Sequence, residues 1–175
     1  AAPAAAHTDQ ATVQTTWRLL DYVAVDYREA VADGRVINAL EYDEMREFTS
    51  TITERLAALP AHQERAALID GARRLEAAVQ RMAPPPEIER DARSLSARLL
   101  AAYPVPLAPT AIPDLPRGAA IYAEQCAACH GPDGAARVPA AADLDPPPID
   151  FTDRARARER SVFALYQVTS QGLEE

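Results

Sequence analysis

The sequence predicts an all-α fold: an up-down four-helix bundle followed by a second, smaller helical domain. Three observations carry that prediction. Four stripes of apolar residues at helical spacing fill positions 1–103, and five prolines fall within the thirteen residues 104–116. Beyond them, residues 117–175 carry a Cys-x-x-Cys-His motif at the end of a short predicted helix.

The first stripe runs Val13, Trp17, Leu20, Ala24, Tyr27, Val31, and the second Met45, Phe48, Ile52, Leu56, Leu59. The third runs Leu68, Ala72, Leu75, Val79, Met82, and the fourth Ile88, Ala92, Leu95, Leu99, Ala102. Steps of three and four residues keep each set on one helix face. Asp33-Gly34 breaks the first helix, with Asn38 as the N-cap of the second and Glu41 three residues on; Pro60 and Pro84-Pro85-Pro86 mark the later breaks. Short connections make neighbouring helices antiparallel. Trp17, Tyr22, Tyr27, Tyr42, Met45, Phe48 and Met82 therefore read as core or core-edge residues. His62 reads as a solvated first-turn residue of the third helix, and His7 as part of a loose N-terminal tail. Proline fixes φ and removes a donor, so 104–116 reads as an extended, semi-rigid linker between domains 1–103 and 117–175.

Composition narrows the function. Eighteen basic residues, all arginine, stand against 26 acidic ones, a net charge of −8 with −4 on each side of the linker. That argues against nucleic acid or an anionic membrane surface as partner. The longest uncharged run, Leu99–Pro113, is too short and too rich in proline to span a bilayer. The opening Ala-Ala-Pro-Ala-Ala-Ala, without an initiator methionine, resembles a chain trimmed by a signal peptidase, an arbitrary starting point being the alternative.

Cys126-Ala127-Ala128-Cys129-His130 is the attachment signature of c-type haem. Two thiols three positions apart on one helical turn can bond the two vinyl groups of one porphyrin, and His130 then offers its imidazole to the iron. A thioredoxin-like dithiol fits less well, because such motifs open a helix after a buried strand and here a helix precedes. A zinc site lacks its remaining ligands, since the chain has no other cysteine and no nearby histidine.

The flanking residues resemble class I cytochromes c: Arg117-Gly118-Ala119-Ala120-Ile121-Tyr122 the first helix, Gly131-Pro132-Asp133-Gly134 the turn after the haem histidine. Pro146-Pro147-Pro148-Ile149-Asp150-Phe151 is similar to the segment laid along the haem edge, and Ser161–Val168 to the next helix, with Ser161 as N-cap and Gly172 past its end. In that family a distal methionine follows in a loop before a closing helix. The sequence ends at Glu175, about where that loop begins, so the domain is expected to be C-terminally incomplete, with its sixth ligand beyond Glu175. Met45 and Met82 both precede the motif.

Leu20–Tyr27, Ala30–Asn38 and Glu41–Met45 resemble the extracytoplasmic N-terminal region of bacterial high-affinity iron permeases, the oxidase-coupled iron transporter family, in the branch with a fused cytochrome c domain. The resemblance runs from about residue 15 to the end. It implies a periplasmic haem c electron-transfer module that accepts electrons linked to ferrous iron oxidation and passes them to a periplasmic carrier. It also implies a transmembrane permease domain outside this sequence, and an electron-transfer or transport component more than an enzyme. The family's Arg-Glu-x-x-Glu transport motif is absent, since Arg46-Glu47 is followed by Phe-Thr-Ser.

The bundle offers one further candidate. Glu41, Glu44 and Glu47 recur at i, i+3, near Asp21, Asp26, Glu29 and Asp33 of the first helix, and paired carboxylates can share iron ions. No histidine accompanies them, unlike di-iron bundles, and a solvated acidic face partly paired with Arg18, Arg28, Arg35 and Arg46 is the favoured explanation. Two other readings stay open: a respiratory c-type cytochrome with an accessory helical docking domain, and an iron-binding or docking bundle without a redox role.

Overall fold

A computed structural model describes residues 4–109, 111–144, 147–159 and 161–171. The chain forms two compact units, residues 1–107 together with 167–175, and residues 108–166.

The first unit is a bundle of α1 (Ala4–Ala30), α2 (Ala39–Ala58), α3 (Arg65–Gln80) and α4 (Pro85–Ala102). Each helix packs on its neighbour in sequence, and α1 also packs on α4, which closes the ring. All four stripes turn inward. Val13, Leu20, Tyr27, Met45, Ile52, Leu56, Leu68, Leu75, Ile88 and Leu99 are buried to within 1% of complete burial. Two buried threonines on the inner faces are satisfied locally. The Thr16 hydroxyl donates to the Thr12 carbonyl at 2.7 Å and the Thr49 hydroxyl to that of Met45 at 2.9 Å, the route by which threonine enters a helix interior. Phe48 is half-buried and meets Tyr22 edge-on, ring centres 5.4 Å apart.

Four details depart from the sequence reading. His7 lies within α1, which begins at Ala4, and not in a loose tail. Val31 is buried, but in a two-residue strand; β1 (Val31–Ala32) pairs antiparallel with β2 (Arg35–Val36). Asp33 and Gly34 both take positive φ (51° and 69°), the geometry of a type I′ hairpin turn. Met82 sits past the end of α3 at φ 56°, half-buried in the turn and off the helical stripe. His62 precedes α3; its Nδ1 accepts the Glu64 N–H at 3.1 Å and its ring lies 5.1 Å from that of Tyr103.

Asn38 caps α2 by accepting from Leu40 and Glu41 N–H. Past α4 the chain stays on this unit: the Gln14 amide donates to the Pro106 carbonyl at 2.6 Å, and the Gln167 amide to that of Leu107 at 3.0 Å.

In the second unit, Asp114 caps α5 (Leu115–Ile121), which therefore starts within the segment read as linker. The helix continues as one π-helical turn, Tyr122–Cys126, and ends as α6 (Ala127–His130). A 3₁₀ turn (Pro139–Ala141), α7 (Arg154–Glu159) and the start of α8 (Val162–Gln171) follow; from Gln167 on, α8 is counted with the first unit. Ser161 caps α8 through its hydroxyl, 3.1 Å from Ala164 N–H. Gly172 and Pro146 lie outside the described residues. α7, which the sequence reading did not contain, is capped by Asp153. Among the described residues no helix is long and apolar enough to cross a membrane.

Tyr27 ties the last turn of α1 to the turn between α3 and α4, its hydroxyl donating to the Ala83 carbonyl at 3.0 Å. Burial, with smaller contributions from Tyr42 and Glu87, pushes its pKa up to about 12. A raised folded-state value means this stabilisation is complete below the ordinary tyrosine pKa of about 10. It is lost as pH rises from there through about 12. Tyr27→Phe is expected to cost about 1 kcal/mol at neutral pH and to flatten the alkaline fall in stability, read by chemical denaturation across that range.

Candidate functional site

The widened turn that ends at Cys126 is closed by the Ala127 N–H, which donates back five residues to the Tyr122 carbonyl. Single π turns of this kind concentrate at functional sites. Cys126 and Cys129 then lie three residues apart on one helical edge, both reduced and half-buried. Gly131 ends the helix at φ 77°, ψ 159°, a conformation open only to glycine. A Cβ there would also stand 3.1 Å from the Asp133 carboxylate.

His130 is fixed from several sides. Its carbonyl accepts the Ala136 N–H at 2.8 Å, and the carbonyl of the next residue, Gly131, accepts the Tyr122 hydroxyl at 2.7 Å. Its ring Nδ1 lies 3.0 Å from the Ile149 carbonyl. A carbonyl only accepts, so Nδ1 carries the proton and Nε2 keeps its lone pair for a metal. The Phe151 ring stacks on the imidazole, centres 4.3 Å apart and planes 16° from parallel. The Phe151 N–H donates to the Gly134 carbonyl at 2.8 Å. Next to it, the Asp150 carboxyl accepts from the Thr152 hydroxyl and N–H. Those bonds, with a weaker pull from Arg137, hold it below the ordinary carboxylate range.

Haem fits these residues. Among the described residues of 108–166 the only buried hydrophobic side chains are Ala135, Ala141 and Ala164, while Ile121, Leu144, Ile149, Phe151 and Phe163 stand 43–51% exposed. A unit with its large apolar groups turned outward lacks a core of its own, and a flat apolar group beside His130 would supply one. Cys126 and Cys129 would hold it by thioether bonds and His130 by Nε2.

The carboxylate candidates are not gathered. Glu41 lies in the first turn of α2, Glu44 is half-buried, and Glu47 is exposed beside Arg18 and Arg55 in a cleft between α1 and α2. Asp26 is 6% exposed and so is not part of a solvated face, and Asp33 sits in the hairpin turn. Arg46 pairs with Asp43 at 3.5 Å. Among the described residues no three His, Cys, Asp or Glu side chains come close enough to hold a metal ion. Met45 is fully buried in the bundle. The 108–166 unit contains no methionine and no second histidine.

The sequence reading reached the three motif residues and set Ile149 and Phe151 along a haem edge, without their direct contacts to the His130 ring. The Ile149 contact is a backbone carbonyl, which no side-chain motif announces. Gly131→Ala is expected to cost about 1–3 kcal/mol of local strain and to lower the yield of haem-loaded protein, read as haem-linked absorbance per unit of chain.

Two family models match the sequence. The iron permease-associated 4-helix bundle domain covers residues 3–106, and cytochrome c oxidase, cbb3-type, subunit III covers residues 113–173. No curated protein and no solved structure matches significantly. The first match spans the whole four-helix ring and the second runs from just before α5 through the Cys-x-x-Cys-His motif into α8. The chain therefore belongs to the iron permease-associated four-helix bundle family, and carries a cytochrome c-like region fused behind its bundle.

Proposed function

We propose that this chain is the extracytoplasmic electron-transfer module of an iron-uptake permease, with haem c on Cys126 and Cys129 and His130 as proximal ligand. The observation that carries the reading is the Ile149 carbonyl on Nδ1 of His130, which leaves Nε2 as the metal-binding nitrogen beside two reduced thiols. In attachment each thiol adds across one vinyl group, sulfur to one carbon and hydrogen to the other, with no net change in electrons. Bound haem supplies one-electron redox chemistry. His130, oriented by Ile149, sets the donor strength on one side, and the exposed apolar side chains limit water around it. The electrons come from ferrous iron oxidised for uptake and leave to a periplasmic carrier. The family matches support association with a permease. Glu41, Glu44 and Glu47 remain candidates for transient contact with iron ions, as separate surface carboxylates and not as a preformed site.

Chain produced in a host with cytochrome maturation machinery is expected to keep haem absorbance and the matching mass increment after denaturation. Cys126→Ala or Cys129→Ala should weaken attachment, and His130→Ala should remove the proximal bond while leaving the thioethers. Anaerobic ferrous iron should then reduce the loaded chain; a chain that stays oxidised would remove the iron-linked half of the reading. Met45 is fully buried in the bundle and the 108–166 unit contains no methionine, which supports a sixth ligand other than a methionine of that unit. The loaded chain should therefore lack the long-wavelength band of methionine-ligated ferric haem.

A further inference from the structure

A hydrogen bond from Nδ1 fixes where one imidazole nitrogen lies, but the angular preference at a carbonyl oxygen is broad, so the ring can still swing about that contact. The plane of the ring needs a second constraint, and the structure contains one. Phe151 lies flat on the His130 imidazole at 4.3 Å and 16°. The ring is half-exposed, so no core holds it in that place. Backbone holds it instead: the Phe151 N–H donates to the Gly134 carbonyl at 2.8 Å, in the same turn in which Ala136 N–H reaches the His130 carbonyl at 2.8 Å. Two residues upstream, Ile149 supplies the carbonyl that binds Nδ1. One short segment thus delivers both the in-plane contact and the face contact.

We propose that Phe151 is a positioning residue that sets the plane of the His130 imidazole, and through it the orientation of the proximal ligand at the haem iron. The claim rests on the haem reading above and adds a residue to it. Offset aromatic stacking favours one relative orientation of two rings, and an aliphatic side chain of similar size provides contact without that preference. Phe151→Leu should therefore free the ring, and Phe151→Tyr should keep it fixed.

The test uses the full chain in two states. In the apo chain with reduced thiols, proton NMR should show the His130 ring protons moved upfield by the Phe151 ring. That shift should vanish in Phe151→Leu and persist in Phe151→Tyr. In the haem-loaded ferric chain with cyanide as the probe ligand, the axially symmetric cyanide leaves the proximal imidazole plane to set the order of the haem-methyl NMR shifts. Phe151→Leu should compress or reorder that pattern and move the midpoint potential, with helical circular dichroism unchanged, while Phe151→Tyr preserves it. A wild-type methyl pattern in Phe151→Leu, or an equal disturbance in both variants, overturns the proposal. A chain that takes up no haem overturns the functional reading separately, and the apo shifts then still decide whether the stack forms.

Discussion

The cytochrome-like unit depends on one hydrogen bond, that between His130 Nδ1 and the Ile149 carbonyl. It selects the tautomer, and with it the nitrogen that faces a metal. It also requires the chain to leave His130, turn at Gly131 and Gly134, and return nineteen residues later with a carbonyl in place. The features around it serve that return. Tyr122 anchors the turn through Gly131, Phe151 is tied to Gly134, and Thr152 closes on Asp150 directly after Ile149. A polar bond in a half-exposed place would contribute little alone. Here several short-range bonds share the same few residues, so the imidazole is held by a small network and not by one contact.

The bundle was legible because its organising force is periodic. Burial of one stripe per helix decides the fold, and a stripe is visible as spacing, so residues such as Leu20, Ile52, Leu75 and Leu99 could be placed from sequence. Where the chain breaks period the reading was coarser. Asp33-Gly34 signalled an end to α1, yet the same pair between Val31-Ala32 and Arg35-Val36 also encodes a hairpin, because both residues tolerate positive φ. Met82 continued the α3 spacing by one step, but Gln80 is the last helical residue and Met82 takes a left-handed turn conformation. Pro84-Pro85-Pro86 mark the break, but spacing cannot tell how many residues ahead of the prolines the helix stops.

The candidate site was legible only in part, for a related reason. Cys126, Cys129 and His130 form a motif because covalent chemistry demands their spacing. Their orienting partners reach them through a backbone oxygen and a ring stack across a loop, and neither has a fixed offset in sequence. The π turn at Tyr122–Cys126 and the short helix α7 are likewise products of local geometry, with no apolar stripe to declare them. The acidic residues of α1 and α2 show the converse. A repeat of Glu41, Glu44 and Glu47 was visible as a pattern, but no packing force draws like charges together, and the structure leaves them apart.

The two units also differ in where their core comes from. In the bundle, leucine, isoleucine, valine and tyrosine side chains from four helices bury one another, so the unit closes on its own residues. Among its described residues the 108–166 unit buries only three alanines as hydrophobic side chains and turns Ile121, Ile149, Phe151 and Phe163 outward. About sixty residues give too little mutual burial for a firm core unless a staple or a bound group adds to it. A group bonded at Cys126 and Cys129 and seated against those side chains contributes apolar contact in the folded state that the unfolded chain cannot reproduce. Binding that favours the folded form raises its stability in proportion. The haem-loaded chain should therefore melt its second unit well above the apo chain, with the bundle transition little changed. Two calorimetric transitions that move together on loading would mean that the units share one cooperative core.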